Sequence, residues 1–382
     1  MNSRLWKEEM RKAVRIPERK GILLILLWMS LLNLAFGPPV LREKDIGGLR
    51  LFPGQLKAMK GMKPPDIEAK AYLLADYATG TVLVAYNEHQ PLPPASLTKI
   101  MTAIIALERS NPEATVTVGQ KAVQVEGARM GLRAGEDIPL KDLLYGLLLV
   151  SANDAAIAIA EYVAGSEGEF VALMNAKAAE LGMNNTHFAN CHGLDTENHY
   201  ASAYDLWLLT RYALANPTFA AIVSTAEHTS GSYRLTSINR FLKLYPGADG
   251  VKTGTTPGAG ECLIASATRE GQKAVAIVLN SPDRYGEAAS LLDYYFRNYT
   301  LLSLDAGPSP LNLWHSPDGS IYKLEVEGER ALLIERWEFP SVRLFREITG
   351  PREEHPTRIG HITLYLGDQP LSTRALLGYK VK

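Results

Sequence analysis

The 382-residue chain has only two cysteines, Cys191 and Cys262, and its formal net charge is −1. Two cysteines cannot form the disulfide framework of a small secreted domain, and their spacing matches no zinc-binding pattern. The eight histidines include no His-x-x-x-His pair, which leaves a catalytic metal without support in the sequence. The balanced charge gives no basic field for nucleic acid. We therefore predict a globular protein that needs no metal or cofactor and binds no nucleic acid.

Both cysteines are interpreted as buried small apolar residues. A disulfide between Cys191 and Cys262 stays open as an alternative, because proteins outside the cytoplasm allow disulfides.

The N-terminal segment combines a basic flank with an apolar run. The first twenty residues contain seven lysines and arginines against three glutamates, and an apolar run from Ile22 to Phe36 follows. This order is typical of an export signal. Pro38 and Pro39 directly follow the small-x-small sequence at residues 35–37, where they would hinder cleavage. We therefore favour a retained membrane anchor with its basic end in the cytoplasm, while a removed signal peptide stays open.

Apolar segments far apart in the chain predict a sheet built from both ends of one domain. Residues 71–86 form a hairpin pattern around Thr79-Gly80, and residues 263–279 form another around positions 269–271. Helical patterns lie between them, including one in which Ser202 and Asp205 resemble a capping box that opens a helix over 206–214. Strands that enclose a helical middle indicate an α+β domain with a helical lobe beside its sheet.

Composition and periodicity divide the chain into four parts. We predict a basic tail and signal or anchor segment over 1–41, a linker over 42–66, a catalytic domain over 67–300 and a C-terminal β domain over 301–382. The last part shows period-two alternation, which is typical of strands with one face in water.

Three short motifs follow one another along the predicted catalytic domain. They are Ser96-Leu97-Thr98-Lys99, Ser151-Ala152-Asn153 and Lys252-Thr253-Gly254. Ordinary residue usage would produce the first two patterns about once each in a chain of this length, and the third in roughly one such chain in ten. Their order and their local context therefore carry the signal.

The local context suits nucleophilic catalysis. Prolines precede Ser96 and a helical apolar pattern follows Lys99, so both side chains are predicted on one face at the start of a helix. Ser151 and Asn153 interrupt a long apolar stretch. A turn-rich run precedes Lys252, which is predicted to begin a strand.

A serine hydroxyl becomes a good nucleophile only when a base takes its proton. Lys99 is the candidate base, but its pKa must fall about three units from the ordinary value of ~10.4. Burial lowers a lysine pKa, and a second cation such as Lys252 adds to the effect. We expect Ser151 to relay a proton to the leaving amine and Asn153 to orient Lys99 and the substrate amide.

The chain resembles the low-molecular-mass penicillin-binding proteins, the serine-type D-Ala-D-Ala carboxypeptidases. The resemblance covers roughly residues 70–299, and the C-terminal tail resembles their β domain. The matching stretches lie at residues 94–102, 151–156, 174–175, 181–183, 192–195 and 249–254. The chain departs from the family at Ala152, where glycine is common, and at Thr255, where a larger residue is common.

The resemblance implies a β-lactamase/transpeptidase-like fold, an antiparallel sheet with flanking helices and a helical lobe, followed by a small all-β domain. It also implies removal of the terminal D-alanine from peptidoglycan stem peptides on the outer face of the bacterial membrane. The backbone N–H groups of Ser96 and Thr255 would hold the oxyanion, and Lys252 and Thr253 the substrate carboxylate. Gly254 would let the substrate backbone approach closely.

β-Lactam antibiotics are the covalent inhibitors that the resemblance implies. Between Asn153 and Lys252 no deacylation motif of the class A β-lactamases is evident; the one Glu-x-x-x-Asn spacing there, Glu180 to Asn184, overlaps the carboxypeptidase-like stretch at 181–183. We therefore expect long-lived penicillin adducts.

Other functions stay open at this level. A D,D-endopeptidase, a β-lactamase-like hydrolase or esterase on the same fold, and a catalytically weak scaffolding protein of the cell wall are the alternatives. Asn239 is either a family site residue or a turn residue. His192 and His199 are interpreted as loop or packing residues, and Asp205 as a helix cap.

Overall fold

The computed structural model describes residues 63–303, 312–328, 331–336, 338–350 and 357–381. The predicted anchor over 1–41 and most of the predicted linker lie outside these residues. Within them, no helix is long and apolar enough to cross a bilayer.

A five-stranded antiparallel sheet organises the larger part of the described chain. The strands are β1 Ala71–Asp76, β2 Val82–Tyr86, β7 Ala248–Thr256, β8 Gly260–Arg269 and β9 Gln272–Ser281. Their order is β2-β1-β9-β8-β7, so the first hairpin pairs with a strand about two hundred residues later in the chain. The fold predicted from the two distant apolar pairs is confirmed.

The sheet is buried on both faces, and alternate residues of β9 show this. Val275, Ile277 and Leu279 pack with the helical lobe, whereas Ala274 and Val278 pack with a long helix on the opposite face. Because successive strand side chains point to opposite faces, an almost continuous apolar strand fits between two helical layers.

Helices occupy the segment between the two halves of the sheet. They are α1 Lys99–Arg109, α2 Gln120–Gln124, α3 Leu140–Leu149, α4 Asn153–Ala164, α5 Glu167–Glu180, α6 Ala203–Leu214, α7 Pro217–Val223 and α8 Phe241–Leu244, with α9 Arg284–Asn298 on the opposite face of the sheet. Two short strand pairs lie among them, β3 Thr115–Thr117 with β4 Asp137–Pro139 and β5 Glu227–Ser230 with β6 Tyr233–Thr236.

The start of α6 corrects one sequence prediction. Ser202 caps the helix as expected, since its side chain accepts from the Asp205 amide at 3.1 Å. The Asp205 carboxylate does not return the bond expected of a capping box. It accepts instead from the Asn185 amide at 2.7 Å and the Thr186 hydroxyl at 2.8 Å. Asp205 thus fastens a neighbouring loop, and the helix begins at Ala203 rather than 206.

The C-terminal part is an all-β unit. A sheet of order β11-β12-β16-β15-β14 accompanies the strand pair β10–β13. Their bounds are β10 Tyr299–Ser303, β11 Leu313–His315, β12 Ile321–Val326, β13 Ala331–Glu335, β14 Val342–Ile348, β15 Thr357–Leu366 and β16 Gln369–Lys380. The alternating residues Tyr322, Leu324 and Val326 are buried, as the period-two pattern predicted.

Candidate active site

Ser96 lies in a tight turn directly before α1. Residues Ala95–Thr98 form a 3₁₀ turn, and Ala95 adopts a left-handed backbone with φ of +49°. Non-glycine residues rarely take this conformation, and strain of this kind is concentrated at functional sites. The Thr98 hydroxyl braces the turn by donating to the Ala95 carbonyl at 2.8 Å. Ser96 itself stays partly exposed, as a nucleophile must.

Lys99 is the first residue of α1, and its side chain is completely buried. Its Nζ lies 3.0 Å from the Ser96 Oγ and donates a second hydrogen bond to the backbone carbonyl of His192. Burial lowers the Lys99 pKa to about 7, although the nearby charges of Cys191 and Asp154 act in the opposite direction. The amine is therefore partly neutral near pH 7 and can accept the serine proton.

The second motif occupies the break between α3 and α4. Ser151 is buried and has a left-handed backbone with φ of +61°, and Asn153 begins α4. The Asn153 side-chain amide donates to the Glu126 carbonyl at 2.6 Å. Sequence reasoning expected Asn153 to orient Lys99, but the acceptor of the second Lys99 bond is the His192 carbonyl. The charge of Asp154, the residue after Asn153, raises the Lys99 pKa, so the start of α4 lies within electrostatic range of Lys99.

The third motif lies on β7, at the edge of the sheet. Lys252 is only 1% exposed, and its Nζ donates to the Thr253 carbonyl at 2.9 Å. Burial lowers its pKa well below the ordinary value, and the charges of Lys99 and Arg284 lower it further. Lys99 thus lowers the Lys252 pKa, but Lys252 is not among the groups that shift the Lys99 pKa, for which burial is the only lowering cause.

Gly254 of β7 lies very close to the nucleophile turn, the backbone turn Pro94–Ser96 that carries the Ser96 hydroxyl. A Cβ on Gly254 would lie 3.0 Å from the Ala95 Cβ, 3.1 Å from the Pro94 carbonyl oxygen and 3.2 Å from the Ser96 nitrogen. The sequence prediction assigned this glycine to close approach of a substrate. The structure shows that the Pro94–Ser96 turn itself needs the space, and that β7 lies directly beside the nucleophile.

The segment Cys191–Asp195, for which the sequence predicted only packing residues, lies against the active site. The Cys191 carbonyl accepts from the Thr102 hydroxyl of α1 at 2.6 Å. The Asp195 carboxylate accepts from the Thr256 hydroxyl at 2.6 Å and from the Gly258 amide at 2.8 Å. The segment therefore joins α1 to the end of β7. Its only sequence signal was the family resemblance at 192–195.

Gly193 lies at the tightest point of this segment. Its φ is +93°, and a Cβ there would overlap the Ala95 carbonyl oxygen and lie 2.9 Å from the Ser96 nitrogen. Only glycine fits such a position without displacing the nucleophile turn.

The two histidines near this segment are packing residues, as interpreted from the sequence. Burial, followed by the charge of Lys99, lowers the His192 pKa to about 4, and its ring Nδ1 accepts from the Leu194 amide at 3.2 Å. Burial also lowers the His199 pKa to about 4, and its ring bonds the Thr98 hydroxyl at 2.8 Å. His192 contacts Lys99 through its backbone carbonyl, which accepts a hydrogen bond from the Lys99 amine, and not through its ring.

Arg284, the first residue of α9, was also missed from the sequence. Its Nη1 donates to the Gly254 carbonyl at 3.2 Å and to the Thr255 hydroxyl at 2.7 Å. In a trans peptide the C=O and N–H groups point in opposite directions. Arg284 therefore holds the peptide whose N–H belongs to Thr255, the residue expected to supply an oxyanion donor.

Asn239 contacts a turn through its side-chain oxygen, and both cysteines are buried. The Asn239 side-chain oxygen accepts from the Phe241 amide at 3.2 Å, which is the turn role considered for it. Cys191 and Cys262 are both buried and not joined to each other. Burial raises the pKa of both thiols. Among the described residues, no group of three or more histidine, cysteine or acidic side chains could hold a metal ion.

Comparison with known proteins agrees with this geometry. Residues 58–283 match the family model of the D-alanyl-D-alanine carboxypeptidases, more than half of the chain. The chain belongs to the D-alanyl-D-alanine carboxypeptidase family. It is 38% identical to DacF of Bacillus subtilis over 61% of this chain and 63% of that protein. It is 34% identical to DacC of Escherichia coli over 88% of this chain and 91% of that protein.

A solved penicillin-binding protein structure gives the same result. The crystal structure of penicillin binding protein 6B from Escherichia coli superposes with a TM-score of 0.69 at 33% identity, covering 82% of this chain and 96% of that one. The predicted family, fold and enzyme class, a serine-type D-Ala-D-Ala carboxypeptidase, are thereby confirmed.

Proposed function

We propose that this carboxypeptidase removes the terminal D-alanine of peptidoglycan stem peptides through an acyl-enzyme on Ser96. The observation that carries the proposal is the 3.0 Å contact between the Ser96 Oγ and the Nζ of a completely buried Lys99. A buried amine with a pKa near 7 is a base matched to neutral conditions.

Acylation uses all three motifs. Lys99 takes the Ser96 proton as the Oγ attacks the carbonyl carbon of the penultimate D-alanine. The N–H groups of Ser96 and Thr255 stabilise the negative charge that develops on the carbonyl oxygen. Ser151 then passes the proton from Lys99 to the leaving nitrogen. The C–N bond breaks and D-alanine leaves with that proton.

Recognition of a free C-terminus rests on Lys252 and Thr253. In the apo protein, burial disfavours the Lys252 ammonium. A substrate carboxylate beside it favours the charged form, so binding and protonation of Lys252 support each other. Water completes the cycle by hydrolysing the acyl-enzyme. β-Lactams would form the same kind of ester on Ser96. We expect slow release, because the one Glu-x-x-x-Asn spacing between Asn153 and Lys252, Glu180 to Asn184, lies at the C-terminal end of α5, where the Glu180 carboxylate pairs with Lys177 at 2.8 Å.

We also propose that the protein acts at the outer face of the cell membrane. The basic N-terminal flank and the apolar run over 22–36 support export and anchoring. A D,D-endopeptidase activity stays the alternative, since both reactions cleave at the same acyl position.

Release of D-alanine as a function of pH tests the proposed reaction. With a stem pentapeptide below saturation, kcat/KM is expected to rise with pH around a midpoint of about 7, as Lys99 loses its proton. An unperturbed lysine would place the rise near pH ~10.4. The same peptide with an amidated C-terminus is the control. Equal rates on both peptides would contradict a carboxypeptidase, and a flat profile between pH 6 and 8 would contradict Lys99 as the base.

Replacing Arg284 with alanine is expected to lower the rate of acylation by roughly tenfold to a hundredfold, because the Gly254–Thr255 peptide loses its fixed orientation. Binding should change much less, so kcat falls more than KM rises. Arg240→Ala is the matched control, since Arg284 and Arg240 both place their guanidinium groups over the Tyr285 ring, 5.0 Å and 5.8 Å from its centroid. Stopped-flow acylation with a chromogenic β-lactam measures both variants. Equal effects of the two substitutions would contradict the role of Arg284.

A further inference from the structure

Strand β14 forms one edge of the C-terminal sheet, so one side of its backbone has no neighbouring strand among those the structure describes. At the opposite edge, β11 has only three residues, and short edge strands are one way in which proteins avoid pairing with other chains. β14 has seven residues, of which the five over 343–347 are exposed. Among the strands the structure describes, only β15 pairs with β14. Its outer edge therefore offers backbone donors and acceptors to another strand.

Phe345 stands at the centre of this strand. It is 68% exposed, more than any other large hydrophobic side chain that the structure describes. Its ring meets the Tyr365 ring of β15 edge-on, with centroids 6.3 Å apart. An aromatic pair displayed on an open sheet edge is apolar surface that a partner would cover.

The charges around Phe345 indicate which partner fits. Arg343 and Glu347 lie two residues to either side of Phe345, so all three share one face of the strand. Arg343 is 52% exposed, and its guanidinium lies 4.0 Å from the Asp368 carboxylate, a long ion pair. Glu347 is 64% exposed and 3.2 Å from the His361 ring. Both charges can therefore take a further partner.

Antiparallel pairing of β14 with itself about Phe345 satisfies this pattern. Phe345 then faces the same residue of the second copy, and Arg343 faces Glu347 at both ends. Other registers of the two β14 strands do not place Arg343 opposite Glu347 together with Phe345 opposite Phe345. Centring on Arg346 sets two arginines opposite each other, and centring between Leu344 and Phe345 sets Arg343 against Arg346. One register alone combines the aromatic contact with two opposite-charge pairs, each of which stabilises an antiparallel ladder.

We propose that this protein associates with a second copy of itself through β14, so that the two C-terminal sheets join into one. The contact is isologous, because the same strand supplies both sides of a two-fold interface. The partner is a second copy, rather than an unrelated chain, because the sequence Arg-x-Phe-x-Glu is complementary to itself when reversed. Phe345, Tyr365 and the same two rings of the partner form the apolar centre.

Cysteine cross-linking of the full chain tests the register. Directly opposed side chains have Cβ atoms about 4.5–5.5 Å apart, a separation that permits a disulfide. Because Cys191 and Cys262 are buried, an introduced surface thiol is the reactive one. Phe345→Cys is expected to form a covalent dimer on mild oxidation, as is the double variant Arg343→Cys with Glu347→Cys. Arg343→Cys alone should not, since the two copies of position 343 would lie about 13 Å apart.

Charge exchange tests the same interface without a covalent bond. Sedimentation velocity of the full chain in detergent is expected to show dimers whose dissociation constant rises at least about tenfold in Arg343→Glu and in Glu347→Arg. Combining the two substitutions should restore association. D-Ala release per subunit should stay unchanged in every variant, which separates the interface from a folding defect. A wild-type chain that stays monomeric at tens of micromolar, or a double variant no better than the singles, would overturn the proposal.

Discussion

Replacing Lys99 with methionine is expected to lower the rate of acylation by about a thousandfold. The same change should raise the free energy of unfolding by roughly 2 kcal/mol near pH 7, because a pKa fall of about three units costs the native state about 4 kcal/mol and loss of the hydrogen bond to the buried His192 carbonyl takes back about 2 kcal/mol. The first effect follows from loss of the base beside the Ser96 Oγ. The second follows because Lys99 is completely buried and its pKa falls to about 7 on folding, so the native state disfavours the proton that the unfolded chain retains. Methionine fills a similar volume without a charge.

The sign of this effect can be checked against pH. Between pH 7 and about 10 the unfolded chain binds more protons at Lys99 than the native chain does, so the stability of the wild type rises with pH across that window. The methionine variant should lose this rise. Urea unfolding at several pH values, with acylation by a labelled penicillin, measures both properties.

The control substitution is Lys99→Arg, which keeps a charge that proteins cannot remove. It should lose both activity and stability. Acylation of the methionine variant within tenfold of the wild type would show that another group takes the serine proton.

Replacing Gly193 with alanine is expected to lower the free energy of unfolding by about 3 kcal/mol or more. Acylation should fall by about a hundredfold or more, since the Ala95 carbonyl must move away from the new Cβ and the Ser96 amide moves with it. Thermal unfolding and penicillin acylation measure the two effects. Both follow from the same overlap, so they should appear together.

Gly165→Ala is the matched control for Gly193. Gly165 has a similar φ of +79° at the end of α4, and the described structure leaves the 4 Å around its Cβ position open. Only the backbone conformation opposes alanine there, at about 1 kcal/mol. Acylation should be unchanged. If the two alanine variants behaved alike, contact between the 191–195 segment and the nucleophile turn would not matter for the site.

The sequence was informative about the fold because its apolar patterns are regular. The hairpin around Thr79-Gly80 and the later pair around residues 269–271 both form strands, and their pairing needed only the assumption of one sheet. The break in the helical lobe at Ser151 was visible as polar residues inside an apolar run. The boundaries of helices were less certain, because capping depends on where side chains such as Asp205 find partners.

The three motifs of the site could be predicted from the sequence, but the residues that hold the motifs in position could not. Ser96, Lys99 and Lys252 could be identified because their chemistry is specific and their order is unusual. The hydrogen bond from Lys99 to the His192 carbonyl could not be predicted, because every residue type has a backbone carbonyl that can accept such a bond. Arg284 lies thirty residues beyond Gly254, and only the pairing of β7 with β8 and the position of α9 bring it to the Gly254–Thr255 peptide. The steric roles of Gly193 and Gly254 likewise depend on contacts between distant segments.

Mass spectrometry of the full chain after incubation with penicillin tests the central claim most directly. A single stoichiometric adduct is expected on the peptide that contains Ser96. The adduct should be absent from Ser96→Ala, although that variant should unfold at the same urea concentration as the wild type. An adduct on any other residue, or one that persists in Ser96→Ala, would contradict a Ser96 acyl-enzyme.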